Sequence, residues 1–295
     1  MSGVRVLVAG ASIAGPALAH WLHRRGAYVT VVERAPALRP GGQAVDARGV
    51  AKEVIRRMGL DAAVRAARTE TAGAYTVDVH GTVLETFRAD DDGGDGFIAE
   101  IEILRGDLSR VLYDDTRDGV EYIFGDQIAE LTQDSDGVDV VFAGGDRRRF
   151  DLVVGADGLH SALRAMVFGP RERFVRHLGL VLAFYSVPNE FGLDRWVIDC
   201  QESGRSAGLR PIQDATRAMA MFSFAAADLD VDYRDVGAQK RLLRERMAGM
   251  GWLTPRILAH LDDTPDFYLD QVAQVVMDRW SSGRVGLLDQ RSITT

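Results

Sequence analysis

The chain has 295 residues, 46% apolar and 26% charged, with a formal net charge of −8, proportions of a globular protein with one large or two modest domains. The acidic balance argues against a nucleic-acid backbone as main partner, and no uncharged run is long enough for a transmembrane helix. Cys200 is the only cysteine and the six histidines lack metal-ligand spacing, which excludes a disulfide framework and points away from a structural metal.

In chain order, residues 6–34 come first. The apolar run after Arg5, with small residues at Ala17 and Ala19, has the look of a secretory signal. It passes without a cleavage break into a second apolar, β-branched run. RVLVAG reads as a buried strand stopped by Gly10, SIAGPALAHWLHRRG as a helix ended by Gly26, and YVTVVE as a second strand. Strand, glycine turn, helix and strand make a βαβ unit that presents backbone N–H groups at a helix N-terminus. Gly10 permits the sharp turn and Gly15 the close approach of helix to strand. Ile13 and Ala14 open the helix, and Glu33 stands where an acid accepts hydrogen bonds from a ribose. Ser12 replaces the middle glycine of G-x-G-x-x-G with another small residue. The plain alternative is a structural turn with an exposed strand-end acid.

Beyond it, a Pro/Gly loop with Gly41 and Gly42 leads to a helix expected from about Ala47 to Met58. Residues 74–87 alternate around a turn at His80–Gly81 and read as a hairpin. The loop Asp90–Gly96 is polar and glycine-rich. A helix carries Leu108 and Leu112 on its buried side. The basic cluster DRRRF, residues 146–150, reads as a solvated hairpin edge. DLVVGADGLHSALR, residues 151–164, is a buried strand that delivers Asp157 to its C-terminal end, then Gly158, then a helix. The plain reading of Asp157 is a helix cap. Strands are expected at 178–187, 195–202, 217–226 and 267–277, interrupted by helices in 236–250 and around 255–263.

Taken together, GASIAG, VVERAP, GGQAVDARG, ILRGDLSRVLYDD and the D-G-x-x-S-x-x-R run at Asp157, Gly158, Ser161 and Arg164 resemble the class A flavoprotein monooxygenases. The resemblance implies an α/β fold: an FAD-binding, Rossmann-like domain of glutathione-reductase type interleaved with a β-sheet-rich substrate domain. The FAD-binding domain would take residues 1–70, 99–170 and 280–295, and the substrate domain 71–98 and 171–279. It implies FAD as cofactor, NAD(P)H as co-substrate, and a small aromatic or polyketide-like substrate in a largely apolar pocket. Neither nucleic acid nor membrane is expected as partner, and the location is expected to be cytoplasmic. By the same resemblance Gly10, Ser12, Ile13, Ala14 and Gly15 approach the pyrophosphate and Glu33 the ribose. Arg34 and Arg105 approach the phosphates, Gly42 and Asp46 the isoalloxazine ring, and Asp157 and Gly158 the pyrophosphate. No side-chain nucleophile is implied, because the cofactor carries the redox chemistry.

The family's third FAD motif, a Gly-Asp pair with a turn and a long helix, would follow GRVGLL, residues 283–288. Here DQRSITT follows, with Asp289 as its counterpart. The expectation is a C-terminally shortened member that holds FAD less tightly and leaves apolar surface uncovered. Two other readings stand beside it: an NAD(P)-dependent dehydrogenase, and a non-catalytic remnant of the flavoprotein fold.

Overall fold

The computed structural model describes residues 3–89, 96, 98–226 and 235–288. The chain packs as two compact units, one from residues 1–40, 105–176 and 273–295, the other from 41–104 and 177–272. Residues 41–70 and 99–104 therefore pack with the second unit, although the sequence groups them with the nucleotide-binding portion.

The first unit is built on a six-stranded sheet ordered Ser281–Ser282, Val285–Leu287, Leu152–Gly155, Arg5–Ala9, Tyr28–Glu33 and Glu121–Phe124. All neighbours run parallel except the first pair. Parallel strands need both faces covered, which is why these segments are almost continuously apolar. Val6 and Val8 point into one core with Ala19, Leu18 and Leu22 of the helix Ala14–Arg24. Leu7 and Ala9 point into the other, against Val138, Val140, Phe142 and Phe150. Those four belong to a three-stranded antiparallel sheet, Ile128–Gln133, Val138–Phe142 and Arg147–Phe150. Helix Arg105–Thr116 buries Leu108 and Leu112 as the sequence suggests. The basic run 147–149 is largely spoken for: Arg148 pairs with Glu121 and Asp146, and Arg149 with Asp134 and Asp139.

The second unit holds a seven-stranded sheet, ordered Tyr268–Val275, Val175–Pro188, Arg217–Ala225, Arg205–Pro211, Trp196–Glu202, Gly73–Val77 and Val83–Arg88. The expected hairpin is the last pair, with a bulge at Thr76/Val77. One face of the sheet, with Tyr185, Cys200, Leu209, Phe222 and Phe224, forms a dry core with Leu243 and Met247 of the helix Val236–Met247 and Ile257 of the helix Thr254–Ala259. Cys200 is one of its small apolar fillers, its thiol pushed up to about 11 chiefly by burial. The helix expected from Ala47 begins at Val50, after Gly49 at φ 47°. Glu100 bridges Lys52 and Arg65, and those two cations hold its carboxyl at about 2. The loop Asp90–Gly96 lies outside the described residues apart from Gly96. Among the described residues no helix is long and apolar enough to cross a membrane, and no cluster of His, Cys, Asp and Glu has metal-binding geometry.

Candidate functional site

In the first unit the turn after the first strand is set by two close approaches. Gly10 has φ 109°, and a Cβ there would stand 2.4 Å from the Ala156 carbonyl oxygen. A Cβ on Gly15 would stand 1.9 Å from the Gly10 carbonyl oxygen and 3.4 Å from Val8 Cγ1. Only glycine fits either place, so the helix Ala14–Arg24 starts pressed against the strand end. Its N-cap, Ile13, has no side-chain capping bond, and its first turn carries no acid. An uncapped helix start of this kind offers N–H groups and a positive dipole end to an anion.

Glu33 ends the second strand and ties it to this turn. Its Oε2 accepts from the Ala11 N–H at 2.9 Å and its Oε1 from the Ala35 N–H at 2.8 Å. Each carboxylate oxygen keeps further acceptor capacity, so a hydroxyl pair can still be bound. Arg105, at the start of its helix, donates from Nε to Ser12 Oγ at 3.1 Å. The serine that replaces the middle glycine thereby holds a guanidinium at the turn.

The 151–164 segment delivers Asp157 and Gly158, the latter at φ 74°, just past the strand Leu152–Gly155. Ser161 is the N-cap of the short helix Ala162–Phe168, accepting from the Arg164 N–H at 2.9 Å. Asp157 also serves that helix, its Oδ2 accepting from the Leu163 N–H at 3.2 Å. The plain capping reading is thus present, and it does not use the whole side chain. Oδ1 of Asp157 is buried with no hydrogen-bond partner among the described residues, the kind of orphan that asks for a ligand or solvent donor. A glycine cradle against an uncapped helix start, a strand-end acid with spare acceptors and an unpaired carboxylate oxygen fit a dinucleotide.

The chain as a whole matches a family profile. The FAD binding domain profile covers residues 3–287. A flavin-dependent monooxygenase of Legionella longbeachae is 36% identical over 292 residues, 97% of this chain and 73% of its own. The chain belongs to the FAD-binding family of flavin-dependent monooxygenases. An uncharacterised protein of Mycobacterium tuberculosis is 46% identical over 286 residues, 96% of this chain and 76% of its own. The crystal structure of the tetracycline destructase Tet(55) superposes with a TM-score of 0.87 at 36% identity, covering 98% of this chain and 74% of that one. The monooxygenase reading is therefore favoured over a dehydrogenase or a non-catalytic remnant. Asp289, the expected counterpart of the third motif, lies outside the described residues.

The monooxygenase carries its other polar concentration in the second unit, on the sheet face opposite the dry core. Register lines up three rows across four strands. Arg210 pairs with Met219, which pairs with Ser186. Asp199 is followed across by Gly208, Met221 and Phe184. Ser206 is followed by Ser223 and Leu182. Side chains alternate along a strand, so these residues share one face. Leu104, Ala44 and Ile212 pack around Phe184 and Met219 on it. Next to them Glu102 is buried with Arg210, their side chains 6% and 15% exposed. The same carboxylate accepts from Thr69 Oγ1 at 2.6 Å and Thr71 Oγ1 at 2.8 Å. Burial pushes the Glu102 carboxyl up; Arg210 and the two hydroxyls outweigh that and hold it below the usual range.

Sequence alone does not reveal this cluster. Glu102 and Arg210 are far apart in the chain and carry no motif; only the strand pairing brings them together. Gly41 and Gly42, at φ 68° and 84°, and Asp46 also lie in this unit, where Arg48 donates to Asp46 from Nε at 3.0 Å and Nη2 at 2.9 Å.

Proposed function

We propose that this monooxygenase uses NAD(P)H and O2 to oxygenate a small aromatic or polyketide-like molecule. FAD, when bound, supplies the redox chemistry, carrying electrons from the nicotinamide to oxygen and an oxygen atom to the substrate. The observation that carries the reading is the first unit's cradle, where Gly10 and Gly15 admit no side chain and Glu33 is fixed by two backbone donors.

On this reading the N–H groups around Ser12, Ile13, Ala14 and Gly15 take the pyrophosphate, assisted by Arg105. Glu33 takes the ribose hydroxyls, Arg34 a neighbouring phosphate group, and Asp157 and Gly158 the far side of the pyrophosphate. The family resemblance assigns Gly42 and Asp46 to the ring end of the same cofactor. The mixed sheet face of the second unit, with Phe184, Met219 and Met221 beside polar groups, suits a planar ligand that is apolar with a few polar substituents. The relatives Tet(51) and Tet(55) are tetracycline destructases, which supports that substrate class. A cytoplasmic location belongs to the same reading.

Oxygen uptake with NADH and with NADPH, measured across a panel of planar phenols and multi-ring polyketides, tests it. Substrate-stimulated uptake with incorporation of labelled oxygen into product is expected. NAD(P)H oxidation that no panel member stimulates would count against it. Glu33→Gln is expected to raise the Kd for FAD at least tenfold, since hydrogen bonds to a charged acceptor contribute about 1.5–3 kcal/mol and about 1.4 kcal/mol is tenfold. Titration of the apoprotein with FAD, followed by flavin fluorescence, measures it.

A further inference from the structure

Asp199 is a half-buried carboxyl on the mixed face of the second unit's sheet, and the monooxygenase reading gives it no task. It sits opposite Gly208 on the neighbouring strand. A Cβ on Gly208 would come within 3.0 Å of Asp199 Oδ1, 3.0 Å of the Ile198 carbonyl oxygen and 3.2 Å of Met221 Cε. The bare glycine therefore makes a notch into which the carboxyl fits. Gln201 Nε2 donates to Oδ2 at 3.0 Å. The Ser206 and Ser223 hydroxyls, 2.8 Å apart, lie one row along the same face, with Met221 and Phe184 across the glycine.

Among the described residues the charges around Asp199 do not balance. The cation nearest Asp199 by register is Arg210, on the adjacent strand and two residues beyond Gly208. Diagonal neighbours of this kind are about 7–8 Å apart, and Arg210 is already committed to the buried Glu102. Asp199 forms no ion pair among the described residues. Burial accordingly pushes its carboxyl above the usual range, with only the hydrogen bonds from Gln201 and Ser206 opposing. A half-buried carboxylate lacking a countercharge gains most from a ligand that brings one.

We propose that Asp199 is a specificity-determining residue that selects substrates bearing a basic nitrogen, its carboxylate pairing with an ammonium group while the ligand's ring system lies along Met221 and Phe184. The inference rests on the monooxygenase reading and narrows its substrate class to amine-bearing planar molecules. Gly208 is part of the device, because any side chain there displaces the carboxyl. Gln201 and Ser206 orient the carboxyl by hydrogen bonds and leave its charge uncompensated.

The test compares two probes of nearly equal size and shape, aminomethyl-anthracene and hydroxymethyl-anthracene, by fluorescence anisotropy with the FAD-reconstituted protein at neutral pH. The wild type is expected to bind the amine about tenfold tighter, the effect of one charge-assisted hydrogen bond. In Asp199→Asn, which keeps shape and removes charge, the preference is expected to fall within about twofold while the affinity for the alcohol stays the same. Gly208→Ala is expected to reduce the preference with the carboxylate still present. An amine preference equal in wild type and Asp199→Asn, no preference in the wild type, or binding of neither probe overturns the proposal. The flavin content of the same samples separates the two levels. Absent FAD and absent substrate-stimulated oxygen uptake strike the monooxygenase reading, whereas full FAD with an unmoved amine preference strikes Asp199 alone.

Discussion

Gly15→Ala is expected to abolish stoichiometric FAD binding and to destabilise the first unit. The added methyl carbon would fall 1.9 Å from the Gly10 carbonyl oxygen, well inside any tolerated contact, and the obstacle is backbone. A flexible side chain cannot give way there. Either the helix Ala14–Arg24 moves outward or the Gly10 turn opens, and both changes disperse the N–H groups of the turn. Overpacking of this kind costs about 3 kcal/mol, the upper end of its usual range. The same movement withdraws Ala11 from Glu33, whose two backbone hydrogen bonds link the turn to the second strand. Thermal unfolding of the apoprotein and FAD titration read the two consequences separately. A Gly15→Ala protein with wild-type flavin content would show that the turn does not cradle the cofactor.

Arg210→Met is expected to destabilise the second unit strongly. It leaves the Glu102 charge in a site where the side chain is 6% exposed, and removing one partner of a buried ion pair costs about 3–5 kcal/mol. Thr69 and Thr71 still donate to the carboxylate, but hydroxyl dipoles do not replace a full countercharge. Glu102→Gln is expected to cost less, because the more exposed Arg210 retains some access to solvent and the glutamine keeps one neutral acceptor oxygen for the threonines. In the double variant Arg210→Met/Glu102→Gln most of the loss is expected to be recovered, so the two single effects do not add. Denaturant midpoints of the four proteins measure the coupling.

The pH dependence of that pair has a definite sign. The Glu102 carboxyl is held below its usual range in the folded protein, so the unfolded chain binds its proton more readily. The stability it contributes is fully present above the unfolded value of about 4.3. It is lost as pH falls below that value and through the lower folded one. Unfolding midpoints from neutral to acid pH are therefore expected to fall more steeply for the wild type than for Glu102→Gln. Parallel curves would contradict it.

Much of the first unit is legible in the sequence because its signals are local. Gly10, Gly15 and Glu33 lie within one βαβ stretch, and the spacing that suggests a turn is the spacing that builds it. Asp157 is legible by type and position, but its division between a helix cap and an unpaired oxygen needs coordinates. The strand Arg205–Pro211 is not legible because RSAGLRP has no β-branched residue, carries a glycine and ends in proline, all poor strand signals. It is a strand because its neighbours on both sides pair with it. That strand carries both Gly208 and Arg210. The mixed face of the second unit was consequently invisible, since its rows exist only once the register of four strands is known. Helices Val236–Met247 and Thr254–Ala259 were legible from periodicity alone, and what they cover was not.

On the proposed reading the turn of the first unit holds FAD. The most direct test is to purify the wild-type chain, add FAD, remove the excess, denature the protein and quantify the released flavin by absorbance and chromatography. About one FAD per chain is expected. Protein that is folded by circular dichroism yet releases no flavin would contradict that reading.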